Sequence, residues 1–169
     1  HPNPQKSRLN KQLAYAASTL SSVKVHDLYQ YYPDFDIDVT YEQSLLEKAD
    51  IVVFQHPVYW YSCPSLMKEW LDLVFHNGYA YGKDGYQLTG KRWMSALSTG
   101  AEQSAYQVGG GHGHELEQFL LPFKQTAQYC GMKFMSPFIS YHARQLDNSQ
   151  IQQQAQEYKA HLNNLCDSQ

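Results

Sequence analysis

The sequence has few cysteines, and they stand far apart. Cys63, Cys130 and Cys166 are odd in number and form no CxxC pair in a chain of 169 residues. A disulfide-stabilised secreted domain of this kind would need more cysteines at closer spacing. The pattern therefore predicts a reducing compartment, and we expect the protein to be cytoplasmic.

Charge of one sign and long apolar runs are also lacking. Only 17% of the residues are charged, and the formal net charge is -3. Acidic and basic residues are interspersed, which argues against nucleic acid or an anionic membrane as a partner. No apolar run approaches the ~18 residues that a membrane span requires. The length and composition favour one globular domain over residues 1–169.

The chain alternates short apolar runs with helical patterns. Candidate strands are Val23–Leu28, Ile51–Gln55, Arg92–Ser98 and Lys133–Tyr141. Strands separated by helices predict a parallel sheet with right-handed crossovers. The fold class is therefore α/β, a doubly wound parallel sheet within a three-layer sandwich. Because such a sheet starts with a strand that feeds the first loop, we expect a first, central strand ahead of His1.

The helices have recognisable ends and apolar stripes. Thr40 and Gln43 have the spacing of a capping box for a helix through Lys48. Ser62 is the expected N-cap of a helix whose buried stripe is Leu66, Trp70, Leu73 and Val74. Gly131 should end a helix through Cys130, and Asp147 with Asn148 should open a last helix to about Leu165.

The first loop, HPNPQKSRLN, contains neither GxGxxG nor a Walker sequence. It does run into a helix N-terminus, where unpaired N–H groups and the helix dipole favour an anion such as a monophosphate. Ser7 and Asn10 can add donors, and Lys6 or Arg8 can add positive charge. The alternative is that Ser7 only caps the helix and the prolines only form a tight turn.

The second loop is the beginning of FQHPVYWYSCPSLMKEWLDLVF, from Phe54 to Phe75. Pro57 and Pro64 stiffen the residues before them. Tyr59, Trp60 and Tyr61 lie between these prolines and could form a wall against a planar conjugated ring. Alternatively, the aromatic side chains cap the core or fill a subunit interface.

The third loop, STGAEQSAYQVGGGHGH, offers hydroxyls, N–H donors and two residues able to donate protons. Tyr106 and His112 stand six residues apart among glycines, and histidine can change protonation near neutral pH. A flexible glycine linker is one alternative. A metal site at His112 and His114 is another, although no carboxylate or cysteine stands at a supporting spacing.

The carboxyl ends of parallel strands meet at one edge of a doubly wound sheet, where such folds bind ligands. The three loops then bring together a phosphate site, a flat apolar wall and a polar edge. These properties match flavin mononucleotide.

At these residues the chain resembles the flavodoxin-like NAD(P)H:quinone oxidoreductase (DT-diaphorase) family. The resemblance covers nearly all of the chain and rests on HPNPQKSRLN, FQHPVYWYSCPSLMKEWLDLVF, LSTGAEQSAY and LLPFKQTAQYCGMKFMSPF. The segment VHDLYQYYPDFDIDV is most similar to the bacterial Kef-type oxidoreductases that accompany glutathione-gated potassium efflux antiporters. The Kef branch favours FMN over FAD as the cofactor.

The resemblance implies three groups of cofactor-binding residues and a catalytic pair. Tyr106 and His112 match the pair that stabilises charge during hydride transfer. Two features depart from the family pattern. Ala101 stands where many relatives carry a second glycine after TG, and a GGG run stands directly before His112. The implied cofactor-binding residues are His1, Ser7, Arg8, Leu9 and Asn10 for the phosphate region, Pro57, Val58, Tyr59 and Trp60 along the ring, and Ser98, Thr99, Gly100 and Ala101 at its polar edge.

The resemblance implies an enzyme that passes a hydride from NADH or NADPH to flavin N5 and then to a quinone in the same pocket. It also implies a homodimer with the active site at the interface. Similarity to the Kef branch implies a different function as the alternative, that of a regulatory subunit that binds the cytosolic face of a potassium/proton antiporter. A one-electron carrier is disfavoured because the acidic residues form no dense docking face.

Overall fold

The computed structural model describes residues 1–167. Its sheet consists of four parallel strands, β1 (Ile51–Pro57), β2 (Arg92–Ser98), β3 (Lys133–Phe134) and β4 (Phe138–Ser140). One edge of β2 pairs with β1, while β3 pairs with the beginning of β2 and β4 with its end. The predicted α/β class with a parallel sheet is confirmed.

Helices cover both faces of this sheet. On β2, Met94 faces a cluster that includes Leu13 and Tyr158, whereas Trp93 faces a cluster that includes Trp70 and Phe123. This alternation gives three layers, with successive strand residues buried on opposite sides. The helices are α1 (Arg8–Ser18), α2 (Leu28–Tyr31), α3 (Val39–Glu47), α4 (Ser65–Val74), α5 (Leu121–Tyr129) and α6 (Asn148–Asp167), with short 3-10 turns at Pro4–Lys6, Gln103–Ala105 and Leu116–Leu120. Within residues 1–167, no helix is both long and apolar enough to cross a bilayer.

Two predicted helix ends follow from local hydrogen bonds. Before α6, the Asp147 carboxylate accepts from the Gln150 N–H at 2.8 Å, and Gln150 Oε1 accepts from the Asp147 N–H at 2.9 Å. This reciprocal pair satisfies donors that the first helical turn would otherwise leave free. After α5, Gly131 has a φ of +71°, a conformation that glycine adopts without steric cost.

The predicted strand at Val23–Leu28 is wrong. Residues 23–27 have no regular secondary structure, and Leu28 begins α2. An apolar alternation becomes a strand only when the backbone finds a hydrogen-bonded neighbour. Here residues 23–27 pair with no described strand, and they line a groove of about 810 Å³ together with residues of β1.

The predicted strand at Lys133–Tyr141 is two short strands. β3 ends at Phe134 and β4 begins at Phe138, and both pair with β2. Pro137 stands directly before β4 and has no N–H to donate. The interruption therefore follows from the proline within the apolar run.

The start and the stripe of α4 also differ from expectation. Ser62 belongs to a turn before the helix, and Pro64 takes the N-cap position. Leu73 is 39% exposed, whereas Leu71 is buried. Leu66, Trp70 and Val74 are buried as expected, and Met67 and Leu71 complete the buried face in place of Leu73.

Candidate cofactor site and active site

The ends of three strands lie at one level of the sheet. Pro57 at the end of β1 is paired with Ser98 at the end of β2, and Ser98 is paired with Ser140 at the end of β4. The Val58 N–H extends this ladder by donating to the Ser98 carbonyl at 2.8 Å. The loops that follow these strands therefore begin side by side.

Asn10 joins the first loop to this edge. Its Nδ2 group donates to the Ser7 hydroxyl at 3.0 Å and to the Ser98 hydroxyl at 2.9 Å. The Gln55 side chain on β1 donates to the Asn10 carbonyl at 2.9 Å. Asn10 is buried, and its Oδ1 atom has no hydrogen-bond partner in the described part of the chain. An acceptor at this edge is therefore available to a ligand.

The N-terminus of α1 is not capped by a side chain. Ser7 occupies the N-cap position, but its hydroxyl accepts from Asn10 and makes no cap hydrogen bond. The first turn of a helix has N–H groups without intrahelical partners, and these favour an anion. The interpretation of Ser7 as only a cap is thus not supported by its side-chain hydrogen bonding.

The side chains of Arg8 and Leu9 have partners in or just before α6. Arg8 donates to the Leu146 carbonyl at 3.3 Å and to Asn148 Oδ1 at 2.7 Å, at the start of α6. Leu9 is 2% exposed and packs in the core between α1 and α6. Their contribution to an anion site would come from backbone N–H groups of the first helical turn.

The second loop makes a tight turn beside the first loop. Tyr59 and Ser62 pair in an antiparallel bridge, and the ring of His1 lies edge-on to the ring of Tyr59 with centroids 6.0 Å apart. Trp60, at the tip of the turn, is 93% exposed. Tyr59 therefore contributes aromatic surface near the first loop, and the Trp60 ring is left open to solvent.

Backbone hydrogen bonds join the third loop to residues 140–143 at the end of β4, a contact that was not predicted from the sequence. The Thr99 N–H donates to the Ser140 carbonyl at 3.0 Å, and the Thr99 carbonyl accepts from the Ala143 N–H at 2.9 Å. The Ala101 carbonyl accepts from the His142 N–H at 3.0 Å. Gly100 is exposed, and apart from its two neighbours in the chain no residue has an atom within 4 Å of the position that a Cβ would take there. The backbone of Thr99 to Ala101 is thus fixed from one side and open on the other.

The two predicted catalytic residues are in contact. The rings of Tyr106 and His112 stack with centroids 4.4 Å apart and planes 28° from parallel. Tyr106 is 9% exposed. Burial raises the pKa of its hydroxyl, and a hydrogen bond with Thr99 acts in the opposite direction. With its pKa above the ordinary value, the Tyr106 hydroxyl stays protonated near neutral pH and can donate.

The glycine run before His112 has a packing role. A Cβ on Gly110 would lie 2.6 Å from the Ala105 carbonyl oxygen, closer than packed atoms allow. The His112 N–H donates to that same carbonyl at 3.0 Å. His114 instead pairs with Gln118 at 2.8 Å, and residues 1–167 contain no metal-binding group of three His, Cys, Asp or Glu side chains. Close packing at Gly110 and the His112 hydrogen bond thus fix the backbone of this loop beside Tyr106.

Three further aromatic residues surround Tyr106 and His112, the predicted catalytic pair. Tyr61 lies edge-on to His112 at 5.6 Å, Phe119 lies 6.4 Å from Tyr106, and Tyr141 lies 6.0 Å from Tyr106. Tyr61 belongs to the aromatic wall expected in the second loop, but its contact with His112 could not be predicted from the sequence. Contact between residues 51 positions apart depends on the turn at Trp60 and Tyr61.

His56 lies near this edge but is not placed to act as a neutral-pH acid. It is 3% exposed, and its Nδ1 atom lies 3.0 Å from the Pro57 carbonyl. Burial lowers the pKa of the imidazole to about 4. His56 is therefore neutral at pH 7.

The residues at this edge fit a phosphorylated ligand with hydroxyl groups and a flat polar ring. The uncapped N-terminus of α1 suits the phosphate, and the buried Oδ1 atom of Asn10 can accept from a hydroxyl. The exposed backbone around Gly100 suits the polar edge of a ring. FMN has all three features.

The sequence model described as "Flavodoxin-like fold" matches residues 1–162. The chain belongs to this family. Over 158 residues it is 48% identical to the glutathione-regulated potassium-efflux system ancillary protein KefG of Yersinia enterocolitica, with 94% of this chain and 86% of the relative covered. The resemblance inferred from the motifs is confirmed.

Solved structures of flavodoxin-like proteins agree. General stress protein 14 of Treponema denticola, in complex with FMN, is 37% identical with a TM-score of 0.91, covering 98% of this chain and 95% of that one. An NADPH-quinone reductase from P. pentosaceus is 28% identical with a TM-score of 0.86, covering 95% and 92%. The flavodoxin-like three-layer fold thus extends over almost the whole chain.

Proposed function

We propose that this protein is an FMN-dependent NAD(P)H:quinone oxidoreductase that carries out two-electron hydride transfer from NADH or NADPH to a quinone. The observation that carries the proposal is the contact between Tyr106 and His112 at the sheet edge where the first helix is uncapped. The FMN-bound and quinone reductase relatives support the same cofactor and reaction class.

The residues that would hold FMN come from three loops. The backbone at the start of α1, with Ser7 and Asn10, would bind the phosphate and its neighbouring hydroxyls. Residues 57–60 would lie along the ring, and residues 98–101 would donate to its polar edge. FMN, when bound, supplies the redox chemistry that side chains cannot perform. The protein's own part is to orient the ring and to exclude water.

Tyr106 would act on the quinone. A quinone oxygen gains negative charge as it accepts a hydride, and a hydroxyl held beside it can donate a hydrogen bond or a proton. The raised pKa of Tyr106 keeps this proton in place near neutral pH. His112 would be the second donor, since its ring lies against Tyr106.

Tyr106→Phe separates the two half-reactions. We expect reoxidation of the reduced, FMN-loaded protein by a quinone to slow by about 10²-fold, because a positioned proton donor is lost. Bleaching of the bound flavin by NADPH should be unchanged. Stopped-flow absorbance measures both rates, and Tyr86→Phe, at an exposed tyrosine, is the control. An unchanged rate of reoxidation would remove Tyr106 from the mechanism.

A second candidate function is regulatory. The 48% identity to a potassium-efflux ancillary protein supports binding to the cytosolic face of an antiporter, in addition to catalysis or in place of it. We include a homodimer and a cytoplasmic location in this proposal. If the protein is only a binding subunit, Tyr106→Phe should leave potassium efflux through the antiporter fully activated, and wild-type FMN-loaded protein should show no turnover.

A further inference from the structure

Tyr61 lies in a two-residue turn of unusual composition. The N–H of Tyr59 donates to the carbonyl of Ser62 at 3.1 Å, and the N–H of Ser62 donates back at 2.9 Å. Between them, Trp60 has a φ of +48° and Tyr61 a φ of +62°. Positive φ at both central residues defines a type I′ turn, which ordinarily contains Asn-Gly or a similar pair.

Two bulky aromatic residues are costly in this conformation. Left-handed backbone is sterically unfavourable for each residue with a Cβ, since the Cβ crowds the following carbonyl oxygen. Burial of Trp60 cannot offset this cost, because its side chain is 93% exposed. Strained backbone of this kind persists where the surrounding structure holds it, often at functional sites. The contacts that could hold the strained turn in place are therefore those of Tyr61.

The side chain of Tyr61 is directed at His112. Its hydroxyl lies 3.4 Å from His112 Nδ1, and the two rings meet edge-on at 77°. On another side, the Tyr61 ring packs on Phe119 with centroids 4.9 Å apart. Phe119 thus supports Tyr61 in the orientation that brings its hydroxyl to the imidazole.

His112 is held on each side by a different tyrosine. Tyr106 stacks on the face of the imidazole, and the hydroxyl of Tyr61 addresses Nδ1. A neutral imidazole carries its hydrogen on one nitrogen only. If Tyr61 donates to Nδ1, the hydrogen of the ring is on Nε2. Nε2–H is then a donor, whereas the other tautomer would leave Nε2 as an acceptor.

We propose that Tyr61 is a positioning residue that fixes the tautomer of His112 with the hydrogen on Nε2. The inference rests on the proposed function, since this tautomer would let His112 donate to a quinone oxygen beside Tyr106. The strained turn at Trp60 and Tyr61 is the structural means by which the hydroxyl reaches Nδ1.

The tautomer can be observed without turnover. Long-range ¹H–¹⁵N correlation spectra of the ¹⁵N-labelled protein, recorded with and without FMN, identify which imidazole nitrogen carries the hydrogen, and His112→Gln assigns the signals. In wild type we expect His112 Nδ1 to be unprotonated and Nε2 to be protonated. In Tyr61→Phe we expect the two ring nitrogens to shift toward each other as the tautomers mix. Tyr86→Phe should leave both signals unchanged.

A second variant keeps the proposal testable if Tyr61→Phe misfolds. Phe119→Leu keeps the Tyr61 hydroxyl but removes the ring that supports it. We expect a smaller shift of the His112 nitrogens in the same direction. Ring-nitrogen signals that are the same in wild type, Tyr61→Phe and Phe119→Leu would overturn the proposal, as would a wild-type imidazole with its hydrogen on Nδ1.

Activity provides a separate result. In FMN-loaded protein we expect Tyr61→Phe to slow reoxidation by a quinone about tenfold, less than the ~10²-fold effect of losing a direct donor. An unchanged rate would overturn the role of Tyr61 in the reaction. Wild-type protein that binds no flavin, or whose flavin NADPH does not bleach, would contradict the proposed function instead, while the tautomer is still decided by the spectra.

Discussion

Two buried polar side chains, Glu42 and Asn10, differ in how completely they are bonded. Glu42 is 2% exposed, and its Oε1 atom accepts from the Tyr32 hydroxyl at 2.5 Å and lies 2.7 Å from His26 Nε2. Its Oε2 atom accepts from the Trp70 indole at 2.8 Å. In Asn10, the Nδ2 group is bonded and the Oδ1 atom is not, within residues 1–167. The Glu42 carboxylate therefore links parts of the fold, whereas Asn10 has a buried acceptor that a ligand could satisfy.

The pKa of the Glu42 carboxyl reflects these hydrogen bonds. Burial alone would raise the pKa of this carboxyl, but hydrogen bonds from His26, Tyr32 and Trp70 outweigh burial and lower it below the ordinary value. Glu42 is therefore ionised at neutral pH even though it is buried. It joins α3 to α4 and to the segment before α2, on the side of the sheet that carries the larger aromatic cluster.

The largest effect on stability should come from removing the Glu42 carboxylate, the shared partner of His26, Tyr32 and Trp70. Glu42→Ala leaves three donors without their acceptor, so we expect the free energy of unfolding to fall by about 3 kcal/mol. Urea denaturation measures this change. Glu69→Ala, at an exposed position on α4, should stay within about 0.5 kcal/mol of wild type. Equal losses in the two variants would contradict the structural role of Glu42.

Removing the Asn10 side chain should affect ligand binding more than folding. For Asn10→Ala we expect the Kd for FMN to rise about tenfold, equivalent to ~1.4 kcal/mol, because a hydroxyl of the ligand loses its acceptor. Quenching of FMN fluorescence gives the Kd. Gln12→Ala, at an exposed position on the same helix, is the control. An unchanged Kd would mean that the open side of Asn10 does not face the cofactor.

The smallest effect should be a gain in stability at the strained turn. Trp60→Gly removes a Cβ from a residue with a φ of +48°, and we expect the free energy of unfolding to rise by about 1 kcal/mol. Trp60→Ala truncates the same exposed ring but keeps the Cβ, so it should stay near wild type. Thermal unfolding of the two variants compares them. A Trp60→Gly variant no more stable than Trp60→Ala would show that the turn is not strained.

The sequence was sufficient where the cause of a structure is local. The Gly131 helix end and the start of α6 at Asp147 follow from a few neighbouring residues. The pairing of Pro57 with Ser98 follows from strand topology, which is why the loops could be expected to meet. Local chemistry and topology thus account for the fold class and for the place of the candidate site.

The sequence was insufficient where the cause lies in distant partners. Residues 23–27 alternate as a strand does, yet in the described structure they lack a neighbour with which to pair. Arg8 bonds to Leu146 and Asn148, more than 130 positions away, and neighbouring residues do not indicate these contacts; its place in the phosphate site stays a prediction. The contact between Tyr61 and His112 needs positive φ at two aromatic residues, which propensity argues against.

The most direct test of the account is an absorbance spectrum of the purified protein after excess FMN has been added and free FMN removed. We predict that the protein retains the flavin absorbance, that NADH or NADPH bleaches it without oxygen, and that a quinone restores it. If no flavin is retained, the strand-end loops are not a cofactor site, and the oxidoreductase function is contradicted.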